Sequence, residues 1–135
     1  MTDSADQYTD FHAQAGKLIA ERSCEVMNAP RAEALQAFSA LGFPTKKVER
    51  YKYTDVVADF APNYGIGLTP LQVKGLPYCY RISEAPIDIT PYYNRLADKH
   101  DAVVALNTML CVDALVIYVP RNTKVQQDRD RKSVV

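Results

Sequence analysis

Cys111 and His100 are the cysteine and histidine closest to one another along the chain, and a thiol activated by an imidazole is a familiar nucleophile. Cys111 falls within the most apolar block of the sequence, where a thiol packs and does not react, so a hydrolase or redox enzyme built on it is the weakest reading. Asp98, His100 and Asp101 are metal-ligand types in a polar stretch, and they read as solvated charges at a helix end. His12 has no ligand type one helical turn away on either side and reads as a surface or half-buried histidine. No pair of carboxylates suggests general acid and base roles. Gly65-x-Gly67 lacks the third glycine and the Lys-Ser/Thr of a phosphate loop. We therefore expect no enzyme activity, no catalytic, cofactor-binding or metal residues, and no cofactor.

The remaining chemistry lies in Lys46, Lys47, Arg50, Tyr51, Lys52 and Tyr53, where cations and rings alternate as they do in single-strand nucleic-acid sites. Glu49 interrupts the run, and sixteen basic side chains are matched by sixteen acidic ones, so no overall field attracts a polyanion. The favoured reading of Lys46–Tyr53 is a solvated connector whose tyrosines pack inward, with no nucleic-acid partner. Three cysteines without a C-x-x-C spacing fit a reduced, cytoplasmic chain. Met1–Asp10 lacks the basic head and apolar run of a signal peptide. Ala102–Val119 approaches membrane-spanning length, but Asn107, Thr108 and Asp113 interrupt it, and no membrane span is expected.

These residues need elements to carry them. Tyr8, Phe11, Ala15, Leu18, Ile19 and Val26 share one face of a helix from about Gln7 to Val26. Asn28 is a candidate N-cap for a second helix bearing Ala34, Leu35, Phe38 and Leu41, and the two should form a hairpin that needs a further surface to cover both stripes. Gly42 ends that helix, Pro44 stops it resuming, and Phe43 should fold back onto Phe38. Thr54 and Asp55 cap a short helix closed by Pro62 and the Gly65-Ile66-Gly67 turn. Leu71–Ile82 predicts one or two short edge strands, and Tyr92–Lys99 a short helix burying Tyr92, Tyr93 and Leu96. Val103–Leu106 and Leu115–Val119 read as strands buried on both faces, with Asn107-Thr108 as a turn. The charged run 126–135 reads as a disordered tail.

As a string, Gly42-Phe43-Pro44-Thr45-Lys46-Lys47-Val48-Glu49-Arg50-Tyr51-Lys52-Tyr53-Thr54 resembles the signature G-[hydrophobic]-P-[small]-[K/R]-[K/R]-x-E-x-[W/Y]-K-Y-T near the N-terminus of the SufD family of iron–sulfur cluster assembly proteins. Arg31–Phe38 fits the helix leading into it. Ala105-Leu106-Asn107-Thr108 with Val112-Asp113-Ala114-Leu115-Val116-Ile117-Tyr118-Val119-Pro120 is similar to the family stretch that enters a parallel β-helix, although Ala114 stands where that pattern has glycine.

The resemblance implies an α+β chain: a helical hairpin followed by short strands at the entry of a SufB/SufD-type right-handed parallel β-helix. Residues 1–54 would be the helical region and junction, 55–100 an irregular region, 101–125 the start of the β-helix-like core, and 126–135 the tail. It implies a scaffold component in a truncated or partial form, with SufB and the ATPase SufC as partners. The SufC docking region has no counterpart among these residues, and none is carried over as a site residue. An exposed strand edge would favour self-association. The alternative is a small cytosolic adaptor binding protein through the hairpin and the Tyr-rich junction. A nucleic-acid binder through Lys46–Tyr53 comes after both.

Overall fold

A computed structural model describes residues 4–65 and 67–124. The readings made for Met1–Asp3, for Ile66 within its turn and for the tail 126–135 lie outside the described residues. The chain runs α1 (Ser4–Arg22), α2 (Glu25–Asn28), α3 (Arg31–Leu41), a 3-10 turn at Glu49–Tyr51, α4 (Val56–Asp59), β1 (Cys79–Arg81), a second 3-10 turn at Ile82–Glu84, α5 (Ala102–Leu110) and β2 (Leu115–Ile117).

Helix α5 is the principal departure from expectation. Val103–Leu106 is not a strand: it lies inside α5, and Asn107-Thr108 is not a turn but its second half. Two features impose the helix. Asp101 caps it, its Oδ1 accepting from the Val103 and Val104 amides at 2.9 and 3.3 Å. Ala102, Ala105, Leu106 and Met109 recur at helical spacing and are all buried. Thr108 fits this setting because its Oγ1 donates to the Val104 carbonyl one turn back, at 3.0 Å.

α5 supplies the further surface that the two N-terminal stripes need. The core joins Tyr8 of α1, Ala34 and Phe38 of α3, and Ala102, Ala105, Leu106 and Met109 of α5. α3 packs mainly on α5 and only lightly on α1, so the centre is a helix trio and not a self-contained hairpin. Asn28 ends α2 instead of capping α3, whose first turn follows Pro30. Phe38 and Met109 are wholly buried, and truncating such a side chain to Ala costs roughly 2–5 kcal/mol.

The junction closes this core as its sequence indicates. Gly42 has φ +61° and ψ −178°, and its N–H donates to the Phe38 carbonyl at 2.9 Å. Its positive φ is costly for residues with a Cβ, but it is not the left-handed helical well expected from a simple cap. Phe43 then turns back, edge-on to Phe38 at 5.2 Å between centroids and stacked on Phe60 at 5.0 Å. Tyr8 meets Phe11, Phe43 and Phe60 edge-on, and its hydroxyl donates to the Phe60 carbonyl at 2.9 Å. Edge-to-face pairs of this kind contribute about 0.5–1.5 kcal/mol each beyond area burial.

Among the described residues the sheet is two-stranded and antiparallel: Cys79 pairs with Ile117, Tyr80 with Val116 and Arg81 with Leu115. Ile82 N–H to Ala114 O and Tyr118 N–H to Tyr78 O extend the ladder at both ends. Leu115–Val119 is thus paired backward in the sequence, with Ile117 and Val119 exposed, not covered on both faces as expected. Ala114 is not among the positive-φ residues, so glycine is not required there. The stretch around Tyr92–Lys99 forms turns instead of a helix. Tyr93 is half-buried, whereas Tyr92 is exposed and Leu96 fully so. Asn94 at φ +61° breaks the helical path.

Candidate functional site

The polar residues that matter converge on the two ends of α5. Arg50 and Tyr51 come from the 3-10 turn that the junction makes after Thr45, a run of tight turns closed by Val48 N–H to Thr45 O and Tyr51 N–H to Val48 O. From there Arg50 Nη1 donates to Asp101 Oδ2 at 2.8 Å and Tyr51 Oη donates to the same oxygen at 2.6 Å. Asp101 therefore holds the α5 amides with one oxygen and the junction with the other. Burial pushes its carboxyl up, but the hydrogen bonds from Tyr51 and Arg50 and from the Val104 and Val103 amides outweigh that, so it titrates below the usual carboxylate range. Burial and the bond to Asp101 raise the Tyr51 phenol, and the same carboxylate raises the Arg50 guanidinium.

At the other end, Arg31 is buried and fully engaged. Its Nη1 donates to the carbonyls of Thr108 and Met109, both at 3.2 Å, which are among the last four carbonyls that a helix leaves unbonded. Its Nε donates to Asn28 Oδ1 and its Nη2 to Ser23 Oγ, both at 2.9 Å. A cation at a helix C-terminus and an anion at its N-terminus both interact favourably with the helix dipole, so α5 is braced electrostatically at both ends. Burial lowers the Arg31 pKa, opposed by Tyr93, Cys111 and Cys24.

A third charge pair fixes the approach to β2. Arg81 Nε donates to Asp113 Oδ2 at 2.7 Å, and that oxygen also accepts from the Leu71 amide at 3.1 Å. The Asp113 carboxylate is nearly sealed from solvent, so loss of Arg81 would leave a buried charge uncompensated.

The catalytic candidates are not brought together. His100 precedes α5 and Cys111 follows it, so the helix holds them about 15 Å apart at 1.5 Å per residue. Cys111 donates its S–H to the Asp113 carbonyl at 2.9 Å. Asp98 spends Oδ1 on the His100 amide and Oδ2 on Arg50, and among the described residues no group of three or more His, Cys, Asp or Glu is arranged to hold a metal. His12 is half-buried against Gly16, where an added Cβ would meet its ring at 3.5 Å, and burial followed by Arg31 lowers its pKa. No helix among the described residues is long and apolar enough to cross a membrane.

The basic–aromatic run divides. Arg50 is committed to carboxylates and Lys46 faces Asp55 at 4.0 Å. Tyr51 turns inward as expected, but Tyr53 does not: it is 91% exposed, with the Lys52 ammonium 5.5 Å from its ring centroid. Beside the run, Leu41, Pro44, Val48, Arg50, His100 and Asp101 line an open cleft of about 390 Å³.

Sequence reasoning missed Arg31, Asp101 and the Arg81–Asp113 pair. Arg31 carried a signal, because a cation in the first turn of a helix opposes the dipole and must answer to something else. Asp101 ahead of an i, i+3, i+4, i+7 apolar pattern was also a readable helix start.

The arrangement defines a helical unit locked by charge at both ends of α5, with a short antiparallel ladder pairing β1 with β2. A family model described as the SufBD protein N-terminal region matches residues 2–81 and again residues 79–128. The chain belongs to that family. No curated protein and no solved structure matches it.

Proposed function

We propose that the chain acts as a SufD-like component of an iron–sulfur cluster assembly scaffold, without catalysis of its own. The observation that carries this reading is the family match over both stretches, which together span nearly the whole chain. The SufD-like wording of the junction supports the finer assignment: Arg50 and Tyr51 in that motif anchor the helical unit to Asp101. In this reading the unit presents its closing strand to a parallel β-helix, and its partners are SufB and SufC in the cytoplasm. Co-expression of the full chain with SufB and SufC, followed by size-exclusion chromatography, tests it. Co-elution in a defined complex is expected. Elution of the chain apart from both proteins at micromolar concentration removes the proposal.

A second reading has one observation in its favour. Leu41, Val48 and Tyr53 are exposed around the junction, which suits a protein-binding adaptor. If the adaptor reading holds, Tyr53→Ala weakens capture of the bound protein and leaves the thermal melt unchanged.

A further inference from the structure

Cys24 and Cys111 are the nucleophilic side chains that the architecture above leaves over. Cys24 stands at the corner between α1 and α2, and Cys111 just past the end of α5. Arg31 ties these places together: it bonds Ser23, immediately before Cys24, and Met109 O, two residues before Cys111. A small cavity lined by Arg22, Ser23, Cys24, Ile82, Val112 and Asp113 brings the Cys24 side against the residues that directly follow Cys111. Asp113, on that wall, is also the residue whose carbonyl accepts the Cys111 S–H. Both sulfurs lie within electrostatic reach of Arg31 and of the half-buried Tyr93. Both cysteines are reduced and half-buried, whereas Cys79 is buried in β1.

We propose that Cys24 and Cys111 form an oxidisable dithiol that exchanges with low-molecular-weight disulfides and closes a Cys24–Cys111 bond beside Arg31. Cys24, on the cavity, loses its proton to solvent and attacks one sulfur of oxidised glutathione, releasing one glutathione thiol and leaving a mixed disulfide. Cys111 gives up its bond to Asp113 and its proton, attacks the protein sulfur of that mixed disulfide, and releases the second glutathione. Two protein thiols lose two electrons together, and one glutathione disulfide becomes two thiols. The new bond ties the α1–α2 corner to the segment leading into β2.

The test is to incubate the full native chain with oxidised glutathione, quench with acid, and measure intact mass and a non-reducing peptide map. The expected product has lost two hydrogens, contains a Cys24–Cys111 linked peptide, and melts at a higher temperature until reductant is added. Cys111→Ser should stop at one glutathione on Cys24, and Cys24→Ser should abolish the linkage. Cys79→Ser should leave it intact. Stable mixed disulfides on wild-type Cys24 or Cys111, a linkage through Cys79, or reaction only after unfolding would each overturn the proposal.

Discussion

Asp101 is where a single carboxylate decides most. Its folded pKa lies below its unfolded value, so its stabilisation is fully present above about pH 4 and is lost as pH falls through the folded value. Asp101→Ala removes an N-cap, takes the acceptor from Tyr51 and leaves Arg50 only its contact with Asp98, a loss we expect to be about 3 kcal/mol. Asp101→Asn keeps capping ability, so it should lose less at pH 7 and show a flatter acid limb in urea melts collected from pH 3 to 7. An unchanged acid limb in Asp101→Asn would show that the linkage lies elsewhere. His12 titrates in the same sense but higher. Its folded pKa is below the unfolded value, so its penalty sets in as pH falls below about 6.5, and His12→Gln should remove that upper step only. Arg31→Met strands two α5 carbonyls, and a loss on the order of 3 kcal/mol is expected in the same melts. Arg31→Lys should recover only part of it, because an ammonium cannot reach Asn28, Ser23 and α5 as a planar fork does.

At the scale of elements, what could be read from sequence depended on whether the signal was local. The stop at Gly42, the return of Phe43 onto Phe38 and the strand character of Leu115–Ile117 are written in adjacent residues and were legible. The helix α5 was misread because Val103-Val104 favours strands by propensity, whereas Asp101 and burial against α1 and α3 favour helix, and tertiary packing prevailed. Tyr92 and Leu96 were assigned to a buried face that never forms, since Asn94 takes a positive φ and diverts the chain. Gly42 gives the sharpest test at this scale. An added Cβ would meet nothing within 4 Å, so any cost of Gly42→Ala comes from its φ of +61° alone. We expect about 1–3 kcal/mol lost in chemical denaturation, with Phe43 contacts retained in the folded state. A neutral substitution would mean the backbone relaxes there without opening the aromatic cluster.

For the whole molecule, the site was the less legible part because it consists of contacts across long sequence distances. The run Lys46–Tyr53 looked like a surface motif, yet Arg50 and Tyr51 reach Asp101 some fifty residues later, and Arg31 reaches α5 from still farther. No window of the sequence contains both partners. Such a molecule should be most resistant where those contacts meet. α3 and α5 carry the wholly buried Phe38 and Met109 and are braced at their ends, so their central amides should exchange with deuterium only through global unfolding. The stretches 67–78 and 85–100 are mostly exposed and lack helix or extended sheet, so they should exchange earlier. The charge clamps add a directional prediction. Arg31→Met should speed exchange first at the last amides of α5, and Asp101→Ala first at Val103 and Val104, before either change spreads to α3. If both variants instead accelerate all helices equally, α5 and its neighbours open as one unit. The clamps would then contribute to overall stability without governing how each end of the helix is held.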